Sequence, residues 1–179
     1  MLKKLLLIGK SASGKDTLRS RLLKAGLKPS ISHTTRPPRE YEKDGVDYHF
    51  KTIEEFEKLE SENFFIESEI FKVTGGDLWK YGRSYQSVDE ADIFISTPTG
   101  ASNMLKKTYR GRFHIVELVC DDKVRLERSM KRGDDETEVF RRMKTDDEDF
   151  NRQRDFSVDE YLDTTDDEAV ENFIEKYRK

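Results

Sequence analysis

Nine consecutive residues near the amino terminus, Gly9-Lys10-Ser11-Ala12-Ser13-Gly14-Lys15-Asp16-Thr17, set two glycines ahead of a lysine in a G-x-x-x-x-G-K spacing. Glycine has no Cβ, so a backbone built this way can wrap an anion with successive N–H groups turned to its oxygens. A helix starting here adds the partial positive charge of its N-terminus, and the Lys15 ammonium supplies a mobile cation for a phosphate in transfer. The chemistry indicated is phosphate binding, with Lys15 catalytic and Gly9, Ser11, Ala12, Ser13, Gly14, Lys15, Asp16 and Thr17 forming the cradle. Asp16 stands where a Ser or Thr hydroxyl usually meets magnesium. Asp16 and Thr17 are therefore the candidate contacts for Mg2+, directly or through water, since this ion keeps several waters in such sites.

The flanking segments supply the context that such a loop needs. Leu5-Leu6-Leu7-Ile8 is an unbroken apolar run, the pattern of a buried parallel strand. Leu18, Leu22 and Ala25 then recur at helical spacing, and Gly26 stands where a helix would stop. Strand, loop and helix in this order separate a phosphate cradle from an ordinary glycine turn.

Composition narrows the class. The chain has 179 residues, 34% hydrophobic and 39% charged, enough for one domain with small inserted lobes. Its apolar residues are clustered periodically, which argues against disorder. The net charge of −4, with both signs intermixed, carries no nucleic-acid signature. Cys120 is the single cysteine and sits in an apolar run, so a buried thiol is expected. Met1-Leu2-Lys3-Lys4 and the apolar residues after it imitate a secretory leader but are too short, and no run approaches a membrane span. A soluble, cytoplasmic protein is expected.

Further along, Arg36 and Arg39 flank Pro37-Pro38. Proline stiffens its neighbours, so two guanidinium groups can be presented to a phosphate at low entropic cost; a solvated surface loop is the alternative. A turn at Asp44-Gly45 precedes the aromatic-rich segment Val46-Asp47-Tyr48-His49-Phe50. Thr52-Ile53-Glu54-Glu55 reads as a capping box opening a helix, and Phe65 to Ile70 alternates as a strand does.

Together, Ser32-His33-Thr34-Thr35-Arg36-Pro37-Pro38-Arg39 and Asp44-Gly45-Val46-Asp47-Tyr48-His49-Phe50 closely resemble the nucleotide-binding segment of the guanylate kinases. The resemblance continues through Phe65-Ile66-Glu67 and Tyr81-Gly82 and weakens after residue 145. It implies an α/β fold of the P-loop NTPase type, a parallel sheet flanked by helices. The core would comprise residues 1–31, 85–127 and 151–179, with a monophosphate-binding lobe at 32–84 and a lid at 128–150. It also implies that Arg36, Arg39, Tyr48 and Tyr81 hold the phosphate of a nucleoside monophosphate, and that Ser32 and Glu67 reach the guanine edge. The implied partners are ATP and GMP or dGMP, with no nucleic acid or membrane, acting as a monomer or homodimer.

Two stretches depart from the family pattern. Ile95 and Thr97 occupy the places of two aspartates, so Thr97 offers the base site a hydroxyl without charge. Arg83 follows Tyr81-Gly82, where a small hydroxyl residue is usual, and Ser84 comes next. These changes keep open a broader deoxynucleoside monophosphate kinase, modified bases included; the Gly-Lys-Asp-Thr ending of the loop is similar to phage-type enzymes of that kind. A third reading is a guanylate-kinase-like binding module without catalysis.

Phe113 to Cys120 reads as another buried strand, followed by a helix from Val124 to Lys131. Arg132-Gly133-Asp134-Asp135 and the helix after it resemble the lid of nucleotide kinases, with Arg132 and Arg142 closing on ATP, Arg141 being the other candidate. Thr145 to Asp155 is almost wholly charged and offers no catalytic signal. Val170, Phe173, Ile174 and Tyr177 form the stripe of a terminal helix, opened by a capping box at Thr165-x-x-Glu168. Asp163 and Thr164 fall near the family's adenine site.

Overall fold

Leu5, Leu6, Leu7 and Ile8 are all fully buried because their strand lies mid-sheet between two layers of helices. The computed structural model describes residues 3–73 and 76–179; Met1 and Leu2 of the leader-like start lie outside them. In chain order the first elements are β1 (Lys4–Gly9), α1 (Lys15–Lys24), β2 (His33–Thr34), β3 (His49–Phe50) and α2 (Ile53–Ser61). Next come β4 (Phe65–Lys72), β5 (Leu78–Ser84), α3 (Tyr85–Glu90), β6 (Ile93–Ile95), α4 (Pro98–Lys106) and β7 (Phe113–Val119). The chain ends with α5 (Asp122–Lys131), α6 (Glu136–Asn151), β8 (Glu160–Asp163) and α7 (Asp167–Tyr177).

The first sheet is parallel throughout, in the order β6-β1-β7-β8. Successive side chains of a strand point to opposite faces, and β1 uses both. Leu5 and Leu7 pack with Leu18 and Leu22 of α1 and Val170, Phe173 and Ile174 of α7. Leu6 and Ile8 pack with Val88 of α3, Ala101 and Met104 of α4, and Phe113 and Ile115 of β7. The chain leaves β1 with β6 on one side and β7 on the other, so a crevice opens at the carboxyl end of β1, where doubly wound sheets bind ligands. Among the described residues no helix is long and apolar enough to cross a membrane.

Residues 33–84 build a second, mixed sheet in the order β3-β2-β5-β4. Thr52 caps α2 through a complete capping box with Glu55, and α2 lays Phe56 against Phe65 with ring centroids 4.6 Å apart. Gly82 of β5 lies directly against this pair: a Cβ there would come within 2.9 Å of ring atoms of both. His33 is buried in the same layer, 4.6 Å from the His49 ring and 5.3 Å from those of Phe64 and Phe65. Burial, reinforced by the neighbouring His49, pushes its pKa down to about 4.

Gly26 ends α1 as expected, while several other sequence expectations change in detail. At the end of α1, Leu27 donates to the carbonyl of Leu22 and Gly26 to that of Leu23, the paired bonds of a Schellman cap. The terminal helix is capped by Asp166, whose carboxylate accepts from Ala169 N–H. The expected Thr165–Glu168 box is not formed, because Thr165 donates both its N–H and its hydroxyl to Asp163. Cys120 is half-buried rather than buried and accepts a hydrogen bond from Arg128 at 3.4 Å. The aromatic segment before α2 contributes only two strand residues, His49 and Phe50.

Two outcomes follow from this packing. Gly82→Ala should destabilise the protein by about 1–3 kcal/mol through overpacking, read by urea unfolding. His33 stays neutral in the folded chain while the unfolded chain takes up a proton below pH 6.5. Stability should therefore fall as pH drops from 6.5 towards about 4, and more steeply than in His33→Phe, as measured by denaturant midpoints across that range.

Candidate active site

The phosphate loop leaves β1 at Gly9 and re-enters regular structure at Gly14, which caps α1 with φ of 96°, a conformation open to glycine at little strain. Ala12 also adopts positive φ, 58°, a strained choice for an L residue of the kind that collects at binding sites. The Lys15 ammonium donates to the carbonyls of Gly9 at 2.6 Å and Lys10 at 2.8 Å. An ammonium has three N–H donors, so one remains for a ligand. Burial lowers the Lys15 pKa, with Asp16 and Asp146 opposing.

Side chains from three later elements brace the loop. Arg125 of α5, 1% exposed, donates to the Ser11 carbonyl at 2.8 Å and to the carboxylates of Asp122 and Asp146. Asp146 of α6 accepts from Ser11 N–H at 2.8 Å and from the Ser11 hydroxyl at 3.2 Å. Asp147 accepts from Lys10 at 2.6 Å. Thr164 donates to the Ser13 carbonyl at 2.8 Å and accepts from Arg128. The charged stretch from Thr145 to Asp155 thus contributes directly to the site, contrary to its sequence reading. Its acids face the loop on successive residues, which charge composition alone does not reveal.

A cleft of about 370 Å³ runs from this loop between the two sheets. Gly9, Ser11 and Lys15 line one end, and Ser32, Tyr48, Glu67 and Tyr81 enter from the second sheet. Thr97 closes the far side, and Arg141 and Arg142 of α6 both face in. Both of these arginines donate to Glu138, so the two lid candidates share one carboxylate. Tyr48 and Tyr81 meet edge to face, with centroids 5.9 Å apart.

Other expected residues stand apart from the cleft. Arg36 is buried, donates to both oxygens of Glu42 at 2.7 and 2.8 Å, and stacks 5.3 Å from the Tyr48 ring. The proline-stiffened loop therefore turns one guanidinium inward, because Glu42 offers a bidentate partner, and leaves only Arg39 exposed. Arg132 follows α5 and donates to Asp134 at 2.6 Å, beside a small recess shared with Ser11 and Arg142. Asp16 and Thr17 are exposed on the first turn of α1, whereas Ser13 is buried with a hydroxyl that has no hydrogen-bond partner among the described residues. Ala12, Ser13 and Gly14 shape the loop from behind and are not part of the cleft wall.

Arg83 and Thr97, two of the unusual positions, both line the cleft, each bonded to a different glutamate of β4. Arg83 is buried; its Nε donates to Glu67 Oε1 at 3.3 Å, one Nη to the Ser30 hydroxyl and the other to the Ile95 carbonyl at 2.7 Å. Burial raises the Glu67 pKa and Arg83 opposes it. Thr97 caps α4, accepting from Gly100 N–H at 2.9 Å, and donates its hydroxyl to Glu69 Oε2 at 2.7 Å. Glu69 was not singled out in the sequence; the alternation of β4 that places Glu67 inward places Glu69 on the same face. Burial pushes its pKa up to about 7.

The family model described as guanylate kinase matches residues 1–177. A guanylate kinase of Neisseria gonorrhoeae is 36% identical over 140 residues, 74% of this chain and 65% of that protein. One from Schizosaccharomyces pombe is 47% identical over 94 residues, 51% of this chain and 44% of that protein. The matched stretch thus spans less than two thirds of these relatives' length. The crystal structure of guanylate kinase from Anaplasma phagocytophilum shares the fold, with a TM-score of 0.65 at 22% identity over 98% of this chain and 85% of that one. With nearly its whole length accounted for by one family pattern, the chain belongs to the guanylate kinase family.

Proposed function

We propose that the chain transfers the γ-phosphoryl group of ATP to GMP or dGMP by direct in-line attack of the acceptor phosphate. The observation that carries this reading is the cleft itself: Lys15 of a phosphate loop and the carboxylate of Glu67 face one space. A carboxylate suits guanine because adjacent N–H donors on the base can be accepted together. The acceptor phosphate oxygen is already anionic, so catalysis needs positioning and charge neutralisation rather than a general base.

In this reading the second sheet, within residues 32–84, is the acceptor lobe, and residues 128–150 are the lid. Lys15 bridges the transferred group, with Arg132, Arg142 and Arg141 neutralising charge from the lid side. Tyr48 and Tyr81 hold the acceptor phosphate by their hydroxyls, and Arg39 reaches it from the exposed loop. Arg36 serves from behind Tyr48 while Glu42 holds it, and Ser32 and Glu67 read the base. Closure over both substrates excludes water and limits futile hydrolysis.

The site suits magnesium in its donor chemistry. Asp16 and Thr17 present hard oxygen donors in solvent beside the loop, and the described residues contain no group of three His, Cys, Asp or Glu side chains placed to hold a metal. That set fits an ion held chiefly by nucleotide phosphates and water, with Asp16 and Thr17 as its protein contacts. When bound, the ion neutralises charge developing on the phosphate oxygens.

Lys15→Ala should lower kcat for GMP phosphorylation by about 100- to 1,000-fold while leaving the unfolding midpoint close to that of the wild type. A coupled assay over GMP, dGMP, AMP, CMP, dTMP and dCMP checks the reading. Turnover of Lys15→Ala at the wild-type rate would overturn the mechanism, and preference for pyrimidine nucleotides would overturn the substrate. ATP with magnesium should raise the wild-type melting temperature; a binding module without catalysis gives no such shift.

A further inference from the structure

The base end of the cleft holds two carboxylates where the family pattern leads one to expect Glu67 and an acid at position 97. Arg83 sits on Oε1 of Glu67, so Oε2 is the oxygen that meets no hydrogen-bond donor among the described residues. Glu69 reaches across from β4 to the start of α4, where Thr97 binds its Oε2. Its Oε1 likewise meets no donor among the described residues. Both side chains line the cleft.

Gly100 leaves room for this approach. A Cβ there would lie 2.7 Å from both Glu69 Oε2 and Ser96 Oγ, so the carboxylate occupies space that a larger residue would contest. The same helix turn offers the Thr97 hydroxyl as donor in place of the charge that Thr97 lacks. Position 97 carries no acid of its own, and Glu69 of β4 brings a carboxylate to its hydroxyl.

We propose that Glu69 is a specificity-determining residue that accepts the exocyclic 2-amino group of guanine, while Glu67 accepts the ring N1–H. This deepens the guanine-nucleotide reading of the site and rests on it. Guanine presents N1–H and the 2-amino group side by side, and a single carboxylate with both oxygens open can take both. With Arg83 on one oxygen of Glu67, the second acceptor comes from Glu69, two residues along the same strand face. Adenine turns an acceptor nitrogen toward these carboxylates and is rejected, whereas inosine monophosphate keeps N1–H and lacks only the 2-amino group.

The ionised form is the better acceptor. The groups facing Glu69 are Thr97 of α4, Glu67 and Arg83 of the second sheet, and Asp149 of α6. Burial, with Glu67 and Asp149 adding to it, keeps its pKa near neutrality at about 7. Preference for GMP over inosine monophosphate should therefore rise with pH through this range. The phosphate group titrates alike in both nucleotides, so their ratio isolates the carboxylate.

The experiment is calorimetric binding of GMP and inosine monophosphate to wild type, E69Q and E69A from pH 6 to pH 8, alongside the coupled kinase assay. A hydrogen bond to a charged group is worth enough to give wild type a preference for GMP of at least about tenfold. E69Q keeps an oxygen for the Thr97 hydroxyl and should reduce that preference at least about fivefold and abolish its pH dependence. E69A removes the group outright and reports the same ratio should E69Q fold poorly. Equal loss of both ligands, or an unchanged ratio, overturns the proposal and leaves Glu69 as a tie between sheet and helix. Absence of GMP phosphorylation by a wild type that still prefers GMP in binding overturns the kinase reading and leaves Glu69's role standing. A wild type that binds both nucleotides equally overturns the inference itself.

Discussion

The guanidinium of Arg125 is the point on which the phosphate-binding end depends. It joins α5, α6 and the loop after β1 by donating to Asp122, to Asp146 and to the Ser11 carbonyl. A buried guanidinium is tolerable only when its donors meet acceptors, and here the acceptors are the parts that must stay in register. Because Asp146 also accepts from Ser11 N–H, one carboxylate links the buried cation to the loop's own amide. Helix α6 and the loop after β1 consequently share one charge network. Amides of such loops are natural anion seats, and Asp146 fills one with an anion from the chain.

The other end of the cleft obeys a different rule, because its charges are of the opposite sign. Glu67 and Glu69 lie on one strand face in a half-dry space, where burial favours their neutral forms. Arg83 compensates one of them and Thr97 the other, the first by charge and the second by a hydroxyl hydrogen bond. Lys15 at one end of the cleft and two carboxylates at the other divide it electrostatically along its length.

Most of the fold was legible because its signals are local. The apolar run of β1, the glycine loop and the stripe of α7 each follow from periodicity. The capping box at Thr52 was readable for the same reason. What sequence could not reveal were interactions that depend on tertiary partners. Nothing in the order of residues says that Glu42 would draw Arg36 inward, or that Asp163 would claim Thr165 and leave the capping of α7 to Asp166. The acids of α6 carry no catalytic signal in a stretch that is almost wholly charged, and only their position beside Ser11 and Lys10 gives them a role. Arg83 and Thr97 were visible as departures, whereas Glu69, the residue that reconciles them, looked like one more acid in a charged chain.

Arg83 and Glu69 have a mechanical consequence as well. Both reach from the second sheet to the first layer, at the Ile95 carbonyl and at Thr97, and both lie on the β5–β4 side of their sheet. A sheet pinned along one edge behaves as a lever with its fulcrum there. β3 and the proline loop lie at the opposite edge, about 14 Å away across three strand spacings. A swing of the second sheet about these two ties would therefore move the carboxylates least and the exposed Arg39 most. The two carboxylates thus sit at the fulcrum and Arg39 at the free arm.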